Sequence, residues 1–322
     1  MARSLFSVLV VVCLLSVPGA IAAPFADSNA LKNAVGSCLD ATNGDPTGVA
    51  CCSKTNVNCG AAGTDEMHQW DTSQVTYMGA LFSNKPQFNA DISQWDTSKV
   101  TRMNGMFRGA TAFNHPIGNW DTSKVMDMNG MFWEATTFNQ PIGSWTTSKV
   151  TAMDHMFWLA EAFNRPIGDW DTSKVTNMRS MFLAAAAFNQ PIGDWDTSKV
   201  TDMADMFGDA TAFNQPIGDW DTSKVTNTGD MFQGASSWYA AYTNCGHDNS
   251  ASVCLNSTSY ASSNGINDGP PSAWVLIPKP PPPSTANTTS PPPPPPPAPP
   301  PNHATGLTGI LVALVATTLN ML

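Results

Sequence analysis

Residues 188–213 read FNQPIGDWDTSKVTDMADMFGDATAF, from Phe188 to Phe213, and nearly the same text recurs in each block of 25 residues around it. Tryptophan marks the period at Trp70, Trp95, Trp120, Trp145, Trp170, Trp195 and Trp220, with no insertion or deletion between them. A strict period of this length is the signature of a solenoid, in which each unit buries its apolar face mainly against its neighbours. Such an array offers a long regular surface and no deep cleft, which favours binding over catalysis.

Within one unit the apolar spacing changes. Met178, Met181, Phe182 and Ala185 stand at i, i+3, i+4 and i+7, which predicts a short helix with that face in the core. Upstream, Ile167, Trp170, Thr172 and Val175 predict an extended segment and turn with apolar side chains inward and Asp171 and Ser173 outward, one short parallel strand per unit. Asparagine follows phenylalanine at Asn89, Asn114, Asn139, Asn164, Asn189 and Asn214, which predicts a buried ladder that satisfies turn amides. Pro166 and Gly168 shape the turn around Ile167.

The unit WDTSKVTxMxxMFxxAxxFN resembles the BspA-like leucine-rich repeat of surface proteins, also described for mycoplasma-type lipoproteins and for secreted proteins of protists. The resemblance covers residues 65–238. It implies an α/β solenoid of the leucine-rich-repeat kind, attachment to matrix, cells or other proteins as the usual activity, and no catalytic residues. A protist or algal type fits the two ends of the chain described next. Thr146 departs from the aspartate register in mid-array, while Thr228 and Trp238 mark the last unit giving way to a cap.

The flanks predict an exported protein. Residues 1–22 carry Arg3, an apolar run from Leu5 to Leu15 and the small-residue site Ala20-Ile21-Ala22, the pattern of a signal peptide. Residues 278–302 are proline-rich and read as a disordered, extended stalk, with sites for O-glycosylation. Residues 303–322 end inside an apolar tail with no basic residue after it, which fits a GPI-attachment signal and hence a membrane partner through a lipid anchor. The expected location is the outer face of the plasma membrane, or a cell wall.

Without Cys13 in the leader, six cysteines remain, four before the repeats and two after. An even number in an oxidising compartment predicts disulfides that staple an N-terminal cap (residues 23–64) and a C-terminal cap (residues 239–277). Cys245 is expected to pair with Cys254, and Cys38, Cys51, Cys52 and Cys59 form two bridges in any of three connectivities. Zinc is the alternative, but adjacent Cys51-Cys52 lacks ligand spacing. Leu31, Ala34, Val35, Cys38 and Leu39 predict a capping helix. Sequons place N-glycans at Asn256 and Asn287, outside the repeats.

Specificity should lie where the units differ. The residue after Met-Phe is Arg108, Trp133, Trp158, Leu183 and Gly208 in successive units, set roughly 140–150° from the core face of the expected helix. Trp133, Trp158 and Leu183 are therefore expected to project outward as a partner-binding patch for a protein or glycan. The competing reading folds them down as a local cluster. Asp169, Asp171, Asp194, Asp196, Asp219 and Asp221 line one edge, as a solvated charged face or a weak calcium site.

Other functions are disfavoured. The repeats hold 20 acidic against 11 basic residues and the chain carries −10, so nucleic acid is not an expected partner. Five scattered histidines and the lack of a phosphate-loop, dinucleotide or hydrolase motif predict neither cofactor nor enzyme activity. The threonines from Thr72 to Thr222 at 25-residue intervals leave an ice-binding array as a remote option, and a structural wall or coat component as a nearer one.

Overall fold

The computed structural model describes residues 23–40, 44–244 and 274–276, all within the first of the two units into which the chain divides, Met1–Pro278 and Lys279–Leu322. The leader, the stalk, the apolar tail, Cys245, Cys254, Asn256 and Asn287 lie outside the described residues. No helix among the described residues is long and apolar enough to cross a membrane.

Helix α1 (Ser28–Cys38) starts where Asp27 accepts the Ala30 N–H at 2.8 Å, satisfying one of the free amides of the first turn. It buries Leu31, Ala34, Val35 and Cys38, the predicted apolar face. Its Ser28 hydroxyl accepts the Tyr77 N–H, which ties the helix to the first repeat.

The 25-residue units bond to one another rather than to themselves. In each unit that has another after it, four alternate amides donate forward, as Met178 to Asp202, Ser180 to Ala204, Phe182 to Met206 and Ala184 to Gly208, these four at 2.6–3.0 Å. Between them Met181, Leu183 and Ala185 donate three residues back to Met178, Ser180 and Phe182. The predicted helix over Met178–Ala185 is therefore absent, replaced by a run of turns. The cause is backbone handedness. Ser180 and Ala184 have φ of 52° and 56°, and the same two registers are left-handed in every unit, from Ala80 and Asn84 to Asp230 and Gly234. A left-handed residue every fourth position breaks the i→i−4 series that a helix requires.

The strand expectation shifts too. Isolated parallel bridges join Tyr77, Arg102, Asp127, Ala152, Asn177, Asp202 and Asn227 in succession, just beyond the segment from Ile167 to Val175 and its equivalents. The predicted core residues are nevertheless buried along the array, except that Thr222 and Val225 of the last unit are half-buried, and phenylalanines stack from unit to unit, as Phe132 on Phe157 and Phe157 on Phe182 at 5.5 and 5.6 Å. Glycine permits one close approach between units: a Cβ on Gly143 would lie 2.6 Å from the Pro166 carbonyl oxygen.

Helix α2 (Ser236–Ala241) and an antiparallel pair, β1 (Tyr242–Asn244) with β2 (Trp274–Leu276), follow the last unit. Trp238 covers the end of the aromatic column, stacked on Phe232 at 4.2 Å and Phe213 at 5.8 Å.

Candidate functional site

Trp133, Trp158 and Leu183 come together as a row, but half-buried instead of projecting. The backbone carbonyls of all three accept amides from the preceding unit, which fixes their spacing. The rings of Trp133 and Trp158 stack at 4.3 Å and 14°, and the Arg108 guanidinium lies over the other face of Trp133, 3.6 Å from its centre. Leu183 leans onto Gly208, where an added Cβ would meet its Cδ1 at 2.7 Å. Ring faces are thus spent within the row, leaving edges toward solvent. The Trp133 Nε1 is buried and has no hydrogen-bond partner. His155 lies beside both rings, at 5.8 and 5.5 Å, and is held by Asp154 at 3.1 Å. The outward projection fails because its geometry assumed a helix, while the chain here is a series of turns.

The six aspartates of the acidic edge are all exposed. Asp171, Asp196 and Asp221 each accept the N–H of the serine two residues on, at 2.9–3.0 Å. The serine hydroxyl and amide hold these carboxyls below the usual aspartate range. Among the described residues the only group of three or more metal-ligating side chains gathered together is the four N-terminal cysteines, so Asp169, Asp171, Asp194, Asp196, Asp219 and Asp221 do not converge on a calcium-binding centre.

Those cysteines pair as Cys38–Cys51 and Cys52–Cys59, one of the three connectivities open to the sequence. All are buried, with the four sulfurs within 4.8 Å of one another. Residue adjacency does not keep Cys51 and Cys52 apart from a common centre, as sequence spacing suggested; their sulfurs lie 3.7 Å apart.

The threonine column cannot meet ice. Thr72, Thr97, Thr122, Thr147, Thr172 and Thr197 are buried, and each hydroxyl donates to the carbonyl 24 residues on, as Thr172 to Asp196 at 3.0 Å. The asparagine ladder forms, each side chain accepting the next asparagine's amide, as Asn164 Oδ1 from Asn189 at 3.0 Å. It sits half-exposed at the edge of the stack instead of buried, where glutamines such as Gln190 also reach it.

One feature escaped the sequence reading. A cleft of about 170 Å³ opens between the N-terminal cap and the first units, lined by Val49, Glu66, Met67, His68, Asp91 and His115 among others. The available signal was column-breaking: Asp91 stands in the proline register, His68 in the glycine register and His115 among Gln140, Gln190 and Gln215.

These features define a protein of stacked 25-residue units, each hydrogen-bonded to the next. Residues 52–168 and 140–245 match the family described as Mycoplasma protein of unknown function, DUF285, and together they span more than half of the chain, which belongs to that family. The match agrees with the mycoplasma-type repeat and lends no support to a protist or algal type. No curated protein and no solved structure matches the chain.

Proposed function

We propose that this is a secreted surface protein that recognises an extracellular protein or glycan, without catalysis, through a seven-unit α/β solenoid of the leucine-rich-repeat kind. The reading rests on the row Arg108–Trp133–Trp158–Leu183, where the identical plan of the units gives way to large varied side chains on four consecutive units. Half-exposed aromatic side chains beside an arginine are what a partner can grip. Export, the proline-rich stalk, N-glycans at Asn256 and Asn287 and a lipid anchor at the outer membrane face are carried by the sequence of the two flanks. The disulfide-stapled N-terminal cap suits an oxidising exterior.

The test uses the purified chain with its disulfides intact, clustered on beads and titrated against cells and wall fractions of its own source. Saturable binding is expected, and paired Trp133→Ser and Trp158→Ser substitutions abolish it. Equal binding by the double variant sinks the assignment of the row.

A second reading has its own observation. Because the ring faces of Trp133 are covered by Arg108 and Trp158, the row also serves as an adhesive between units. A structural coat component would then show retention in wall extracts and self-association, with no saturable ligand.

A further inference from the structure

The row through Trp133 and Trp158 ends in opposite charge on its two sides. At its start the Arg108 guanidinium covers one face of Trp133 at 3.6 Å, and Arg108 is exposed, with no carboxylate paired to it among the described residues. Stacking uses the flat of a guanidinium and leaves its N–H edge open to an acceptor. At the far end the register has no side chain. Gly208 lies under Leu183, and a Cβ there would come within 3.5 and 3.7 Å of the Asp205 and Asp230 carbonyl oxygens. With Asp209 next in the chain, three aspartates flank this end. Arg179 takes Asp205 at 3.2 Å, whereas the Asp209 and Asp230 carboxylates have no hydrogen bond or ion pair among the described residues. Burial, with Asp230 and Asp202 nearby, pushes the Asp205 carboxyl up despite Arg179, so negative charge here is left in excess.

Between the two ends the surface is apolar and half-buried, with Leu159, Ala184 and Ala186 beside the row, where the same registers elsewhere carry Glu134, Asp209 and Thr111. The rings then decide the kind of partner. An aromatic face is negative and its edge positive, and a sugar docks its C–H face on an aromatic face. Trp133 has one face under Arg108 and the other against Trp158 at 4.3 Å, so the row offers ring edges and aliphatic groups instead. Such a surface suits aliphatic side chains and peptide carbonyls, not pyranose rings.

We propose, resting on the reading of this row as the recognition surface, that its partner is an extended polypeptide segment laid along the array. The segment carries a carboxylate at the Arg108 end, aliphatic residues over Trp133, Trp158 and Leu183, and a lysine or arginine at the Gly208 end. Arg108 and Gly208 lie four 25-residue periods apart. At about 4.8 Å per unit that is roughly 19 Å, the length of about six extended residues. Opposite charge at the two ends fixes the partner's register, while apolar burial between them supplies affinity.

The experiment pans a display library of random peptides, about twelve residues long to exceed that span, against the full chain with its disulfides intact. Three variants run beside it, each first shown by thermal melt to be folded: Trp133→Ser with Trp158→Ser, Arg108→Glu, and Asp209→Lys with Asp230→Lys. The parent is expected to enrich peptides with an acidic and a basic residue about six apart around aliphatic ones, at least about tenfold over the tryptophan pair. Arg108→Glu should turn the acidic end of the enriched set basic, and the aspartate pair should turn the basic end acidic. Enrichment no greater than with the tryptophan pair, or end charges indifferent to both swaps, overturns the proposal. The bead assay on cells tells this failure from that of the recognition reading. Saturable binding that needs both tryptophans, survives protease and is removed by periodate would keep recognition by the row and put a glycan in the polypeptide's place; no binding by the parent removes both.

Discussion

The indole Nε1–H of Trp170 donates to the backbone carbonyl of Ile142, 28 residues earlier, at 3.2 Å. The same bond joins Trp120 to Ile92, Trp145 to Ile117, Trp195 to Ile167 and Trp220 to Ile192, with Met67 taking the isoleucine's place for Trp95. The invariant tryptophan is therefore a fastener between units as well as a core side chain.

Trp170→Phe tests this. The ring volume is partly kept while the Ile142 carbonyl loses the indole donor and keeps the Trp145 amide at 3.2 Å, which costs about 0.5–1.5 kcal/mol. A urea titration should show the midpoint falling accordingly; no change would mean that the bond contributes nothing beyond packing.

Ala184→Gly separates turns from helix. At φ of 56° alanine carries left-handed strain of about 1–2 kcal/mol that glycine lacks, set against glycine's greater loss of backbone freedom. The variant should be neutral or more stable by up to about 1 kcal/mol, whereas in a helix it would lose about that much. Thermal melts decide the sign.

Thr172→Val keeps the shape of a buried side chain and removes its hydroxyl bond to the Asp196 carbonyl. Stability should drop by about 1 kcal/mol. Ice-growth inhibition should be absent in both the parent and the variant, because the column is inside.

Acid should loosen the array by a defined route. Asp96, Asp121, Asp171, Asp196 and Asp221 are held low by the serine hydroxyl and amide two residues on. A carboxyl lowered in the folded state adds stability above its unfolded value, about 3.9, and that contribution is lost as pH falls through the folded value. Melting temperature should therefore fall below about pH 4, less steeply in a Ser173→Ala, Ser198→Ala, Ser223→Ala triple variant. Asp205 works in the opposite direction: burial pushes it up despite Arg179, so its contribution falls as pH rises through its titration.

Much of the core was legible, because a 25-residue period fixes which residues return to the same place. Met178, Met181, Phe182 and Ala185 are buried on either a helix or a run of turns, so spacing alone could not separate the two. The deciding fact is φ at Ser180 and Ala184, and neither residue type advertises it; glycines at the equivalent Gly105, Gly130, Gly109 and Gly234 were the visible hint. The candidate row lies half-buried along the array instead of projecting, since outward projection was inferred from helical geometry. The cleft at His68 and His115 was missed because attention to what repeats passes over what deviates.

The forward-pointing amides have an electrical consequence. On the turn side of each unit that has another after it, four peptide groups align with N–H toward the C-terminal end and C=O toward the N-terminal end, against two per unit, such as Thr176 to Thr151 and Ala187 to Glu161, that point the other way, so a net dipole adds along the array as it does in a helix. The sense is reversed relative to a helix, with the positive pole at the end of the chain's repeats. Side-chain charge follows it: Arg102 and Arg108 sit near the negative pole, and Asp202, Asp205, Asp209 and Asp230 gather near the positive one. These two arginines and four aspartates thus stand where the backbone poles favour their charge, while Asp91, Asp96, Lys199 and Lys224 do not follow the same order.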